Sequence, residues 1–80
     1  LSAEEAALIE LRLKLSEGLK ARRKRKRLTQ HDLAAAVQSS QSRVAKMESG
    51  DPTVSIDLLM RSLIALGASR KDLARIIAPS

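Results

Sequence analysis

Eighty residues allow one domain with a limited core, so stability leans on helix packing or on a partner subunit. The chain has no Phe, Tyr, Trp or Cys. Leu, Ile, Val, Ala and Met must build the core, and a disulfide framework and a cysteine metal site are both excluded. A net charge of +6 and a pI near 10.6 favour polyanionic partners, nucleic acid first and acidic membrane surfaces second.

No apolar run approaches the roughly 18 residues of a membrane span, and the acidic start is unlike a signal peptide. The expectation is a soluble, cytoplasmic protein. Ser2 and Glu5 have capping-box spacing, and Glu4 and Glu5 lie at the positive end of the helix dipole, so a helix is predicted from about Ala3. Leu8, Leu11, Leu15 and Leu19 share a narrow arc with Ile9 and Leu13 as a second stripe, which favours one long helix to about Lys26. The upstream leucines need cover, either from the protomer's own C-terminal helices or from a second subunit or partner. Lys20 and the unbroken run Arg22 to Arg27 concentrate positive charge at the C-terminal end of this helix, where cations are favoured.

Thr29 with Asp32 three residues later marks the start of a second helix, from about Gln30 to Val37, with Leu33, Ala34 and Val37 on one face. Gln38, Ser39 and Ser40 break the pattern. Ser40 is placed to cap a third helix whose buried face is predicted to be Val44, Ala45 and Met47 and which Gly50 ends. Two short helices joined by such a turn form a helix-turn-helix unit over residues 29–50, in which the second helix offers its N-terminal residues to DNA base edges. Those residues are Gln41, Ser42, Arg43 and Lys46, all able to hydrogen-bond a base edge or a phosphate.

Beyond Pro52, Ser55 caps a helix from about Ile56 to Leu66, with Val54 placed to staple against Leu59 and Gly67 as the stop. This helix is apolar nearly all round, which predicts burial on more than one side. Ser69 and Asp72 start a last helix to about Ile77, and Pro79 prevents its continuation. These helices offer more apolar surface than the domain needs, and a homodimer interface through Leu63, Leu66, Leu73, Ile76 and Ile77 is expected, with the N-terminal extension as second candidate.

The Thr29-Gln30 helix start, Ala34 and the run Ser40 to Val44 closely resemble the Cro/Xre (lambda-repressor-like) family, over about residues 19–67. The resemblance implies an all-α, five-helix lambda-repressor-like DNA-binding domain spanning 1–80. Its first helix is extended N-terminally by residues 1–14. It also implies an ion pair between Arg23 and Glu48 that locks the first helix to the recognition helix, and phosphate contacts from Gln30, Ser40, Lys20, Arg22, Lys24, Lys26 and Arg27. Arg27 and Gln38 stand where the family usually has Gly, and a non-glycine residue in the left-handed region costs on the order of 1 kcal/mol. Asp51 stands where many relatives carry Lys or Arg, so no phosphate contact is assigned there.

His31 is the only histidine and has no Cys or carboxylate cluster around it, Met47 and Met60 fall at core spacing, and the turn serines have no histidine base. No metal, cofactor or enzymatic activity is expected. Three functions remain. The first is a homodimeric repressor reading a palindromic double-stranded operator. The second is an antitoxin similar to the HigA type, which also binds a toxin protein. The third is a nucleoid-like or RNA-binding protein without sequence preference, which leaves the ordered chemistry of Ser40 to Lys46 unused and lacks aromatics for base stacking.

Overall fold

Each helix begins where a Ser or Thr hydroxyl takes up a free amide of the first turn. Ser2 starts α1 (Ala3–Arg25), Thr29 α2 (Gln30–Ala36), Ser40 α3 (Gln41–Ser49), Ser55 α4 (Ile56–Ala65) and Ser69 α5 (Arg70–Ile77). The computed structural model describes residues 1–79. Thr29 with Asp32 and Ser69 with Asp72 close full capping boxes.

Three helix ends share one device. At α1, α2 and α4 the third residue past the helix donates its amide back five residues, Leu28 to Arg23, Ser39 to Ala34 and Ala68 to Leu63, and the residue before it donates back three. In each case the preceding residue is left-handed, as a Schellman cap requires. At α4 that residue is Gly67, but at α1 and α2 it is Arg27 (φ 57°) and Gln38 (φ 55°). The turns keep the glycine geometry without the glycine.

The core draws on every helix: Leu15 and Leu19 from α1, Leu33 and Ala34 from α2, Val44 and Met47 from α3, Leu59 and Leu63 from α4, and Leu73 from α5, closed by Val54, Leu66 and Ala68. Val54 and Leu59 share this cluster, as a hydrophobic staple does. Each fully buried Leu contributes roughly 1.5–3 kcal/mol of transfer free energy. α1 is the spine, with α3, α4 and α5 packed along it. Its 23 residues span about 35 Å, close to the molecule's longest extent of 36 Å. Gly18 lets α5 approach, since a Cβ there would lie 3.0 Å from Ile76 side-chain atoms.

Several expectations change here. Leu63, Leu66 and Leu73, expected at a dimer interface, are 0%, 5% and 8% exposed within one protomer. A chain without aromatic side chains needs these leucines to fill its own core. Ile76 is half-buried against the same core, whereas Ile77 and Ile64 remain exposed, so α4 is not covered all round. Ala45, expected inside, is exposed. The upstream leucines divide: Leu15 and Leu19 are buried and Leu11 is half-buried, while Leu8, Ile9 and Leu13 stay exposed.

Candidate nucleic-acid interface

The buried face of α3 is Val44, Met47 and Glu48. Met47 sits 3.6 Å from the Ser62 hydroxyl, which itself donates to the Leu58 carbonyl at 2.8 Å. At 100° per residue, the arc opposite that face carries Ser42, Ala45, Lys46 and Ser49, flanked by Gln41 and Arg43. All six are exposed. Gln41, Ser42, Arg43 and Lys46 are therefore brought together on one surface, with neither Arg43 nor Lys46 in an ion pair among the described residues. Ser40 faces solvent with them, but its hydroxyl is engaged, accepting from the Arg43 amide and sharing a hydrogen bond with Ser42, both at 3.2 Å.

Ala45 and Ser49 are members of this face that the sequence reading missed. The signal was present: both fall at helical spacing from Ser42, and the inward position went to Glu48 instead. Glu48 turns inward because its expected partner stands there.

That partner is Arg23. Its Nε and one terminal nitrogen donate to the two Glu48 carboxylate oxygens at 2.5 and 2.9 Å, and its other terminal nitrogen donates to the Leu28 carbonyl at 2.8 Å. Gln30 adds a hydrogen bond to Glu48 at 3.2 Å. One carboxylate thus ties the end of α1, the start of α2 and the recognition helix together. Burial alone would raise the Glu48 carboxyl. Hydrogen bonds from Arg23 and Gln30, with the charges of Arg23 and Lys20, outweigh it and hold the group below the ordinary glutamate range.

The same bonds change the roles expected of several residues. Gln30 spends one side-chain amide hydrogen on Glu48 rather than on a phosphate. Arg22, expected on DNA, lies 3.3 Å from Asp72 across the α1–α5 contact and is mostly buried there. Lys26 extends over Gly67, whose Cβ, if present, would lie 3.9 Å from Nζ, so its charge sits at the negative end of α4. Lys20, Lys24 and Arg27 are exposed and form no ion pair among the described residues. Asp51 accepts from the Thr53 amide at 2.8 Å and hydroxyl at 2.6 Å. These two hydrogen bonds hold its carboxyl below the usual range and order the loop after α3. His31 is exposed on α2.

A seven-residue helix, a turn through a left-handed Gln38 and a nine-residue helix with a polar, uncompensated outer face define a helix-turn-helix DNA-binding domain. The chain belongs to the helix-turn-helix family HTH_3, of the Cro/C1 and Xre-like type, whose family model matches residues 19–73. It is accordingly an all-α DNA-binding regulator. Neither a search of curated proteins nor one of solved structures returned a match. No helix among the described residues is long and apolar enough to cross a membrane.

Proposed function

We propose that the chain is a sequence-specific transcriptional repressor that binds a palindromic operator as a homodimer and reads it through α3. The observation that carries this reading is the pairing of a free polar face on α3 with a rigid mount beneath it. Gln41 and Arg43 have the side chains that pair bidentately with adenine and guanine, Ser42 accepts or donates to either, and Lys46 suits guanine or phosphate. Exposed Ala45 fits against a thymine methyl. Lys20, Lys24 and Arg27, with the second amide hydrogen of Gln30 and the Ser40 hydroxyl, then lie along the phosphates and set register rather than sequence.

Anisotropy titration of the duplex upstream of the chain's own reading frame, against a scrambled duplex at the same salt, tests this. The expected result is a preference of at least 10³-fold, the lower range for specific regulators. Equal affinity for both duplexes would favour a nucleoid-like role instead. A second reading, an antitoxin that also binds a toxin protein, draws on the exposed Leu8, Ile9 and Leu13, which a purely DNA-binding monomer does not need. Coexpression with the product of the adjacent reading frame separates the two: a stable complex supports the antitoxin, and its absence leaves the repressor.

A further inference from the structure

The leucines first expected at the dimer contact belong to the core, and apart from Ile64 and Ile77 the apolar surface left over lies on α1. Leu8, Ile9 and Leu13 are 50%, 43% and 44% exposed and fall within one 140° arc of α1. Glu5 and Arg12 lie on that same arc. Arg12 is fixed there by its Nε, which donates to the Val54 carbonyl at 3.1 Å, and its terminal nitrogens take no further partner among the described residues.

We propose that this face is covered by a second copy of the chain, the first turns of the two α1 helices packing antiparallel about a two-fold axis between residues 8 and 9. This rests on the homodimer reading above and names its interface. The pattern is self-complementary. An antiparallel pair with that axis sets Leu8 against Ile9 of the partner subunit and Glu5 against Arg12 of the partner subunit, so these four positions meet their complements, while Leu13 lies at the edge against Gly50 of its own protomer. A parallel pair would set Glu5 against itself.

Spacing agrees. α3 crosses α1 between Leu13, which lies on Gly50, and Arg23, which holds Glu48. That crossing is about ten residues, or about 15 Å, from the axis. Doubling it separates the recognition helices by about 30 Å along the helix pair, near the roughly 34 Å of one DNA turn. The contact is small, the eight residues from Glu5 to Arg12 or about 12 Å of one helix pair, too short to bury the roughly 1,200 Å² typical of stable interfaces. The free dimer is therefore weak, and a palindromic operator, by holding two copies in register, drives the pairing.

The chain has no cysteine, so single introduced thiols report the contact directly. Ile9→Cys, Glu5→Cys and Ile64→Cys chains are oxidised with and without operator duplex. The full-length Ile9→Glu variant is compared with the parent by sedimentation and operator titration. Far-ultraviolet thermal melts, expected to match the parent, show that Ile9→Glu folds. Cross-linking of Ile9→Cys, enhanced by operator and absent from the other two, supports the proposal, together with a loss of dimer and a tenfold or greater loss of operator affinity in Ile9→Glu. Cross-linking of Glu5→Cys makes the pair parallel and overturns the register. Cross-linking of Ile64→Cys alone, or a dimer that survives Ile9→Glu, overturns this interface while the homodimer stands. A parent chain that is monomeric both free and on operator overturns the homodimer itself. A parent that is monomeric alone but joins the adjacent frame's product through Ile9 assigns the face to that partner and overturns the second copy.

Discussion

Replacing Arg23 by Ala removes three hydrogen bonds at once and leaves the Glu48 carboxylate, whose side chain is 3% exposed, with Gln30 as its remaining hydrogen-bond donor. Breaking one side of a buried pair costs about 3–5 kcal/mol, because the abandoned charge has lost both water and partner. An 80-residue domain has roughly 4–12 kcal/mol in total. The substitution should therefore remove a large fraction of the stability. With a urea m-value of about 1–1.5 kcal/mol/M for a chain this small, the midpoint should fall by about 2–5 M. Circular dichroism at helical wavelengths is the suitable signal, since the chain has no Trp or Tyr. Glu48→Ala should cost a similar amount, and Arg23→Met with Glu48→Met should recover much of it, as an apolar pair needs no desolvation. Single substitutions costing under about 1 kcal/mol, or a strictly additive double-mutant cycle, would refute the network as the lock between α1 and α3.

Acid should act through the same pair. The folded Glu48 carboxyl titrates below the ordinary range, so its contribution is complete above about pH 4.3 and is lost as pH falls from there through its lower folded value. Asp32 and Asp72, lowered first by hydrogen bonds from the Thr29 and Ser69 amides, act in the same direction, and an acid titration of stability should flatten in Glu48→Gln. Ser16 is 2% exposed and its hydroxyl has no hydrogen-bond partner among the described residues. Ser16→Ala should therefore stabilise α1 by about 1 kcal/mol in urea melts, with an unchanged or lower midpoint as the contrary result. Gln38→Gly relieves a left-handed cost of about 1–2 kcal/mol and gives back about 0.4–1 kcal/mol in chain entropy, so a net gain of up to about 1.6 kcal/mol is expected. In salt titrations Lys24→Ala should weaken operator and scrambled DNA alike and make the log–log slope shallower by about two, one for each protomer of the dimer, whereas Lys26→Ala should leave the slope nearly unchanged.

The helix boundaries were legible because their signals are local. Ser2, Thr29, Ser40, Ser55 and Ser69 each stand at a predicted start and each accepts an amide hydrogen there. The left-handed Arg27 and Gln38 were legible only through the family pattern, since nothing in either residue asks for that conformation. What periodicity could not decide was which apolar surface faces which neighbour. Leu63 and Ile64 read alike in a helix apolar nearly all round, yet one is buried and the other is 56% exposed, because the packing of α4 on α1 covers only one of them. Charge hid a similar choice. Arg22, Arg23 and Lys24 are adjacent in one basic run, but Asp72 takes the first, Glu48 the second and solvent the third. A run of like residues carries no mark of which member will meet an acid 25 or 50 positions away.

Whether the outer face of α3 reads sequence is measured by the ratio of operator to scrambled-duplex affinity at fixed salt. Gln41→Ala and Arg43→Ala should each lower that ratio by the roughly 1–3 kcal/mol of one bidentate base contact in each half-site, about 2–6 kcal/mol or roughly 30- to 25,000-fold for the dimer, with scrambled-duplex binding changed far less. Each should also relax preference at one base pair per half-site when single-position operator variants are compared. If both substitutions weaken operator and scrambled duplex by the same factor, α3 holds DNA without reading it and the account is wrong.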